Sequence, residues 1–499
     1  MFVCPQMPMF SLYSLSVRSL VLPLVSLGTH SKFWRIYRQF KKDPKQLYDP
    51  SPEASWEKVR SLIYHAYTHV PFYKERMDRL GLAPDAFTRL DDLRKLPPTT
   101  KTDVAAHFPD RITSAQKMFK PWRYVSTSGT TGRLTVIQDF RKRDLSRASL
   151  LLALNAATGY QPGMRYLDIP PDICANVCGT SGTVEKKIVP FLWETLRKKR
   201  RLDGEDISTL RGLVDRQIVH RQLQLAHFGP QGLKQKDNAL DEYLEHIKRY
   251  RPYHVRGLSS YLYVLALHIL EHKRQAPFIP GGLMPMGSSM TIHMREVIEK
   301  AFGCRVHETY GSAELGSIAA ECGRQNGLHP FAGLFYIEVV RNGQPVADGE
   351  TGKVLITDLY NYAMPLIRYD IGDVAFIKQG PCPCGLKSSR LEIQGRVQDC
   401  LKGQNGEVLT SDRIMDEVLR AFPDVMGFQL EAQDGDHYYL QVVSREGTSP
   451  DTNAIVYFLS KILDGQPRVD ARIVPTILPE PGGKYRFVKN RTNAAAELF

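Results

Sequence analysis

The chain has 499 residues, too many for one hydrophobic core, so at least two domains are expected. Its 42% hydrophobic and 24% charged residues are typical of a globular protein and exclude a disordered one. The formal net charge of +13 suits small polyanionic ligands. The basic residues form no known nucleic-acid-binding motif, and the clearest basic run, Arg197–Arg201, is typical of a solvated loop. We therefore expect no nucleic-acid partner.

Residues 1–50 form an apolar and then basic segment, which we separate from the first domain. Arg18 lies inside the apolar stretch and Pro23 interrupts its second half, so the pattern does not fit a membrane-spanning helix. Cations alternate with aromatic residues from Lys32 to Lys45. This pattern favours a helix packed against the domain and a cytoplasmic chain. The alternative is a membrane-peripheral chain, whose surface helix makes weak contact with anionic lipid.

Helical spacing predicts a helix over 56–80.

The segment 127–133 is rich in hydroxyl side chains and glycines and contains one cation. Glycines allow close approach of the backbone, and successive N–H groups form a nest for an anion. A guanidinium adds a fork that matches phosphate oxygens. The spacing is not that of a Walker A loop. The segment predicts a phosphate-binding loop made of Thr127, Ser128, Gly129, Thr130, Thr131, Gly132 and Arg133.

Helices and short β-rich runs alternate through the rest of the chain and predict an α/β architecture. After residue 396 a new series of helical and β-rich segments predicts a small α+β domain. The predicted domains are therefore 1–50, 51–396 and 397–499. The expected elements are helices at 144–157, 240–247, 261–270, 412–421 and 453–463, and strands at 134–137, 305–307, 335–340, 354–357, 428–432, 438–443 and 471–474.

Five ordered motifs resemble those of the adenylate-forming superfamily, which includes acyl-CoA synthetases. The first is the phosphate-binding loop, and the others are Glu308–Glu314, Ile367–Asp373, Gly395–Asp399 and Gly482–Lys484. Further segments narrow the resemblance to the phenylacetate–CoA ligase branch, close to relatives in capsular-polysaccharide biosynthesis: Val70–Tyr73, Gly327–His329 and Met364–Leu366. The resemblance implies a large N-terminal domain of layered sheets and helices, followed by a small mobile C-terminal domain.

The resemblance also assigns roles to single residues. Glu314 would bind Mg²⁺, Arg133 would neutralise phosphate charge, and Lys484 would reach the forming acyl phosphate as the catalytic lysine. Asp373 would accept hydrogen bonds from ribose, and Arg396 would assist at ribose or phosphate. Asp399 would be the hinge of the small domain. The remaining nucleotide contacts would come from Gly287, Ser288, Ser289, Gly311, Ser312 and Tyr310, the last by stacking on adenine.

The chain departs from the family pattern at four positions. Arg133 replaces the common lysine and still supplies charge, so we expect ATP binding to survive. Leu134 replaces a proline, and Gln398 replaces an acidic residue. Ala313 stands where threonine is normal, which removes a hydroxyl from the site and puts the adenylation rate in question.

Three cysteines and one histidine have the composition of a metal site. Three thiols and one imidazole suit a closed, tetrahedral Zn²⁺ site of the structural kind. We expect the eight cysteines to be reduced thiols or ligands rather than a disulfide framework. Members of the phenylacetate–CoA ligase branch can carry such a site. The prediction is structural zinc, against free thiols at this spacing, at Cys322, His329, Cys382 and Cys384.

The expected function is ATP-dependent activation of a carboxylic acid to acyl-AMP, followed by acyl transfer. CoA is the default acceptor by resemblance, and an amine or hydroxyl on a sugar or carrier is the alternative. A non-catalytic nucleotide-binding scaffold is a second alternative, because of Ala313. The sequence identifies neither the acid nor the oligomeric state.

Overall fold

A computed structural model describes most of the chain. The described residues are 12–29, 31–116, 122–126, 134–169, 188–197, 204–225, 238–287, 290–433, 436–445, 447–478, 480, 486–492, 495 and 498–499.

Helices make up most of the first 110 residues. The predicted helix over 56–80 is wrong in one respect: it is two helices, because Pro71 lacks an N–H and begins a new one. No described helix combines the length and the apolar character needed to cross a bilayer. The α-helices are Leu12–Ser16, Leu22–Thr29, Phe33–Lys42, Lys45–Tyr48, Pro52–His69, Pro71–Arg79 and Lys101–His107, with a π turn at Val17–Val21 and 3₁₀ turns at Pro84–Ala86 and Leu90–Lys95.

A four-stranded parallel sheet with helices around it forms the middle of the chain. The predicted strand at 305–307 is wrong, since only Val306 pairs there, in an isolated bridge with Leu283. The strands lie in the order Leu223–Gln224, Tyr166–Ile169, His254–Leu258 and Leu283–Met286. The helices are Phe140–Thr158, Ile188–Arg197, Gly204–Val214, Asn238–Tyr250, Ser259–Glu271 and Ile292–Phe302, with a π turn at Asp215–Val219.

An eight-stranded antiparallel sheet follows, and a separate hairpin flanks the predicted phosphate loop. In the hairpin, Trp122–Ser126 pairs with Thr135–Asp139. Asn342 and Gly343 both have positive φ in the turn after Phe335–Arg341, as the Asn-Gly signal predicts. The sheet order is Gln344–Pro345, Phe335–Arg341, Gly352–Asp358, Tyr369–Lys378, Arg390–Arg396, Leu328–Pro330, Gly316–Glu321 and Thr309–Ser312.

A small α+β unit begins after a 3₁₀ turn at Val397–Asp399. Its apolar core is continuous with that of the preceding helices, since Leu265 and Ile298 belong to the same buried cluster as Ile414 and Leu430. The unit contains helices Ser411–Ala421 and Thr452–Ile462, the short pair Leu401–Lys402 and Val408–Leu409, and a sheet in the order Arg468–Ile473, His437–Ser444, Val425–Ala432 and Val488–Asn490. The mixed α/β fold predicted from the sequence is confirmed.

Arg368 joins the eight-stranded sheet to the N-terminal helices. Its side chain is buried, with Nε donating to Glu338 Oε2 at 3.0 Å and Nη1 donating to the Leu96 carbonyl. Glu338 is buried as well. A buried carboxylate without its cation is strongly unfavourable, so the pair with Glu338 holds the guanidinium where it donates to the Leu96 carbonyl of the N-terminal region.

Replacing Arg368 tests this connection. Arg368→Met leaves the Glu338 carboxylate buried and unpaired, so we expect the free energy of unfolding to fall by about 3–5 kcal/mol in urea titrations followed by fluorescence. Glu338→Gln in the same chain should restore part of the loss. The control is Arg413→Met, because the Arg413–Glu407 pair is about 40% exposed and contributes about 1 kcal/mol or less. Equal losses for the two arginine variants would contradict the assignment.

Candidate active site

Asp373, on strand Tyr369–Lys378 of the large sheet, lies at the centre of a polar cluster. Tyr310 donates its hydroxyl proton to Asp373 Oδ2 at 2.7 Å, and Arg396 Nε lies 3.0 Å from Asp373 Oδ1. Both tyrosine and carboxylate are buried. Burial and the adjacent Asp373 charge raise the pKa of Tyr310, so the tyrosine stays a proton donor. The Asp373 charge also raises the pKa of Arg396.

Glu314 lies buried next to this cluster and is tied to the hairpin that carries the predicted phosphate loop. Tyr369 donates its hydroxyl proton to Glu314 Oε1 at 3.2 Å. Gln138 Nε2 donates to the carbonyl oxygens of Ala313 and Glu314 at 3.3 and 2.6 Å. Gln138 belongs to the strand Thr135–Asp139, so these bonds hold that strand of the hairpin beside Glu314.

Lys101 also lies near this cluster, and the sequence did not predict it there. It is the first residue of a helix that Thr100 caps by accepting from Asp103 N. Thr99 N donates to the Arg368 carbonyl at 3.0 Å, and Asp370 N donates to the Thr99 carbonyl at 2.9 Å. These backbone bonds hold the start of the helix against the strand that carries Asp373. The only signal in the sequence was a lysine after a Thr-Thr pair, which is too common to identify a site.

Lys101 is partly buried among charges of both signs. Burial lowers the pKa of Lys101, and repulsion from Arg396 lowers it further. Glu314 and Asp373 act in the opposite direction. A Cβ placed on Gly372, whose φ is +79°, would lie 3.6 Å from Lys101 Nζ and 3.8 Å from Arg396 Nη1. Two cations therefore converge on the Gly372 backbone, an arrangement suited to a phosphate oxygen.

Two glycines of the predicted motifs are required by close packing. Gly311 faces the Gly316 carbonyl so closely that a Cβ would collide with it, which explains the glycine in this hairpin. Gly395, with φ of +112°, would collide with the Ser411 hydroxyl if it carried a side chain. Ser312 accepts from Leu315 N at 3.2 Å and shapes the turn before the next strand.

The predicted hinge residue Asp399 is buried and ion-paired with Arg486. Burial raises the pKa of Asp399, and the Arg486 charge opposes the rise. Asn490 Nδ2 also donates to the Cys400 carbonyl at 2.9 Å. The segment after residue 396 is therefore connected to the last strand of the small unit.

The structure thus brings Tyr310, Glu314, Asp373 and Arg396 together, with Gly311 and Ser312 beside them. Gly287, with φ of +83°, follows the carboxyl end of strand Leu283–Met286. The predicted residues outside the described ranges are Thr127, Ser128, Gly129, Thr130, Thr131, Gly132, Arg133, Ser288, Ser289 and Lys484.

The predicted metal ligands form a second cluster at the opposite end of the central strands. One donor atom from each of Cys322, His329, Cys382 and Cys384 lies within 4.8 Å of the others. Cys322 Sγ is 3.7 Å from Cys382 Sγ, and Cys384 Sγ is 3.5 Å from His329 Nε2. Burial lowers the pKa of His329 to about 4, so the imidazole is neutral at neutral pH, as a ligand must be. This donor set fits zinc.

The fold matches that of 2-hydroxyisobutyryl-CoA ligase. A crystal structure of 2-hydroxyisobutyryl-CoA ligase in complex with 2-HIB-AMP matches with a TM-score of 0.64 at 19% identity, over 91% of this chain and 93% of that one. An open conformation of the same ligase, in complex with 2-HIB-AMP and CoA, matches with a TM-score of 0.54 at 18% identity, over 89% and 93% of the two chains. No family model matches the chain.

By sequence the chain is similar to phenylacetate–CoA ligases, which confirms the resemblance drawn from its motifs. The phenylacetate–coenzyme A ligase of Thermus thermophilus is 27% identical over 400 residues, covering 79% of this chain and 78% of that protein. The Escherichia coli enzyme of the same name is 27% identical over 404 residues, covering 78% and 82%. Protein CapK of Staphylococcus aureus is 23% identical over 431 residues, covering 84% of each.

Proposed function

We propose that the chain is an adenylate-forming ligase, which activates a carboxylic acid with ATP and transfers the acyl group to CoA. The observation that carries the proposal is the convergence of Tyr310, Glu314, Asp373 and Arg396 in one cluster with Lys101. The relatives from Thermus thermophilus and Escherichia coli are CoA ligases by name, and the matching crystal structure contains an acyl adenylate. Both support the same reaction class.

In the first half-reaction a carboxylate oxygen attacks the α-phosphorus of ATP. The bond from the α-phosphorus to the bridging oxygen breaks, and pyrophosphate leaves with the electron pair. Catalysis requires neutralised phosphate charge and in-line positioning. Lys101 and Arg396 would supply fixed positive charge, Asp373 would hold the ribose hydroxyls, and Lys484 would approach the transferred phosphate. Mg²⁺, when held by Glu314, would screen the departing phosphates.

In the second half-reaction the CoA thiol sulfur attacks the acyl carbon. The acyl–phosphate bond breaks, AMP leaves, and the thiol proton passes to solvent. We propose the division 1–50, 51–396 and 397–499 for the chain, with the last part rotating about Asp399 between the two steps. Separation of the Asp399–Arg486 ion pair would accompany that rotation.

The acceptor distinguishes this proposal from its alternatives. An amine or hydroxyl acceptor would leave the first half-reaction unchanged and replace only the thiol. A non-catalytic scaffold would bind ATP and form no adenylate. The missing hydroxyl at Ala313 motivates the scaffold, but Glu314, the ligand proposed for Mg²⁺, is present next to it.

Trapping the intermediate tests the proposed reaction. Incubated with ATP, Mg²⁺ and a panel of aromatic, amino and fatty acids, the wild-type chain should form an acyl-AMP detectable by mass spectrometry. Lys484→Ala should reduce its formation by about a hundredfold or more, since it removes charge from the reacting centre. Lys461→Ala, an exposed lysine of the same domain, is the control.

Adding CoA completes this test. Conversion of the adenylate to an acyl-CoA supports the thiol as acceptor, whereas an adenylate consumed only by amines or hydroxyls supports the alternative acceptor. ATP binding without any adenylate from the whole panel would favour the scaffold and overturn the ligase.

We also propose that Cys322, His329, Cys382 and Cys384 hold a structural Zn²⁺. The first two lie beside strands of the large sheet, and the last two lie on the turn between Tyr369–Lys378 and Arg390–Arg396. In that turn Cys382 N donates to the Leu386 carbonyl at 2.9 Å. A metal here would fasten the turn to the neighbouring strands, at a distance from the reacting groups.

Metal analysis tests the zinc site. Elemental mass spectrometry should find about one zinc per chain in the wild type and a large loss in Cys384→Ser, because a structural site needs all four ligands. The control is Cys304→Ser, a cysteine outside the cluster. Chelation should also lower the thermal unfolding midpoint of the wild type more than that of Cys384→Ser. Equal zinc in the two cysteine variants, or none in the wild type, would contradict the site.

A further inference from the structure

The first described helical segment, from Leu12 to Thr29, carries apolar side chains on two faces. On one face Ser14, Val17 and Leu22 are buried against the fold. The opposite face presents a row of leucines that are between 50% and 86% exposed. An apolar row of this size on a solvent-facing helix indicates a docking surface. We call it the leucine row; it consists of Leu12, Leu15, Leu20, Leu24 and Leu27.

The charge around the leucine row indicates what covers it. Residues 1–42 contain six lysines and arginines and no aspartate or glutamate. The helix Phe33–Lys42 packs its aromatic face, including Phe33 and Phe40, on the domain. Its other face carries exposed cations: Lys32, Arg35, Arg38, Lys41 and Lys42. Exposed leucines followed by a purely basic surface match the composition of segments that lie in the interface of an anionic bilayer.

A cationic cavity lies at the amino end of the helical segment Leu12–Thr29. It has a volume of about 580 Å³, and four basic residues line it: Arg165, Arg221, Lys248 and Arg251. Gly163 lies on its wall and touches Ser14 so closely that a Cβ would be 2.7 Å from Ser14 Cα. The Arg221 guanidinium lies 4.8 Å from the centre of the Tyr13 ring. The cavity therefore adjoins the segment that carries the leucine row.

Three of the four cations of this cavity are available to an anion, whereas Lys248 pairs with Glu245 at 2.7 Å. No described carboxylate is ion-paired with Arg165, Arg221 or Arg251. Arg221 and Arg251 have φ of +44° and +51°, a backbone conformation that costs free energy in residues with side chains. Phe278, also on the cavity wall, is 78% exposed. Cations beside an exposed aromatic ring suit a phosphorylated lipid headgroup.

This cavity is distinct from the candidate active site. Arg165 immediately precedes strand Tyr166–Ile169, and Tyr253 immediately precedes His254–Leu258, so the cavity lies at the amino ends of the parallel strands. Gly287 follows the carboxyl end of the same sheet. Ligands of such sheets bind at the carboxyl ends, so the opposite edge is free for a different role.

A second exposed apolar pair lies nearby on the helix Ile188–Arg197. Val189 and Trp193 are 77% and 64% exposed, and Arg197 lies 5.5 Å from the centre of the Trp193 ring. This helix contacts Gly204–Val214, which in turn contacts Leu22–Thr29. The basic run that starts at Arg197 follows directly in the sequence. Tryptophan beside arginine is typical of the bilayer interface.

From these contacts we propose that the chain binds peripherally to an anionic membrane. The leucine row enters the acyl-chain boundary, the basic face of Phe33–Lys42 lies against the headgroups, and the cationic cavity takes a headgroup phosphate. This binding is independent of the proposed ligase reaction.

Vesicle sedimentation of the full chain tests the proposal. The wild type should sediment with vesicles of phosphatidylcholine and phosphatidylglycerol, and much less with phosphatidylcholine alone or at high salt. Replacing Leu20, Leu24 and Leu27 with Gln should reduce the bound fraction about tenfold or more. Replacing Arg35, Arg38, Lys41 and Lys42 with Gln should do the same. Arg251→Asn, which tolerates positive φ, should weaken binding about threefold through the cavity alone.

Two matched controls carry equivalent changes elsewhere. Gln at Tyr457, Ile473 and Leu478 removes three exposed apolar side chains, and Gln at Lys300, Lys461, Arg468 and Arg472 removes four exposed cations. Both controls should bind as the wild type does. Binding unaffected by the leucine changes, equal binding to neutral vesicles, or self-association through the leucine row without vesicle binding would overturn the proposal. An unaffected Arg251→Asn would overturn the part assigned to the cavity.

Discussion

The hydrogen bond and ion pair that hold the Asp373 carboxylate between Tyr310 and Arg396 are the constraint on which the candidate site depends. Tyr310 lies on an edge strand of the eight-stranded sheet and Asp373 on an inner strand, so the bond joins elements that are not neighbours in the sheet. Because Arg396 immediately precedes the small C-terminal unit, the same cluster connects Tyr310 and Asp373 to the start of that unit. Glu314 and Lys101 are then positioned by backbone and amide contacts around it.

Much of the fold could be predicted because its signals are local. Apolar spacing and β-rich runs depend on residues close in sequence, and most of the helices and strands predicted from them are present within a few residues of the predicted bounds. The restart of the pattern after residue 396 coincides with the turn Val397–Asp399. The errors arose where local patterns compete: Pro71 divides one apparent helix, and the β-rich run at 305–307 forms only a bridge at Val306.

Part of the site could not be predicted because it depends on contacts distant in sequence. Motif resemblance selected Tyr310, Glu314, Asp373 and Arg396, although it gave no partner for any of them. Lys101 is held near the cluster because Thr99 pairs with a strand more than 260 residues later in the chain. No local sequence pattern predicts such a contact. The leucine row was visible as apolar sequence, but its exposure depends on which face the fold buries.

The most direct test of the central claim is the affinity for AMP of the wild type and of Asp373→Asn, measured by calorimetry. The substitution keeps the size of the side chain, removes the charge that Arg396 pairs with, and replaces one acceptor with a donor. The account predicts at least a tenfold loss of affinity, with no loss in Asp348→Asn, an exposed loop carboxylate that accepts from Gln379 N. An unchanged affinity in Asp373→Asn would contradict the assignment of this cluster as the nucleotide site.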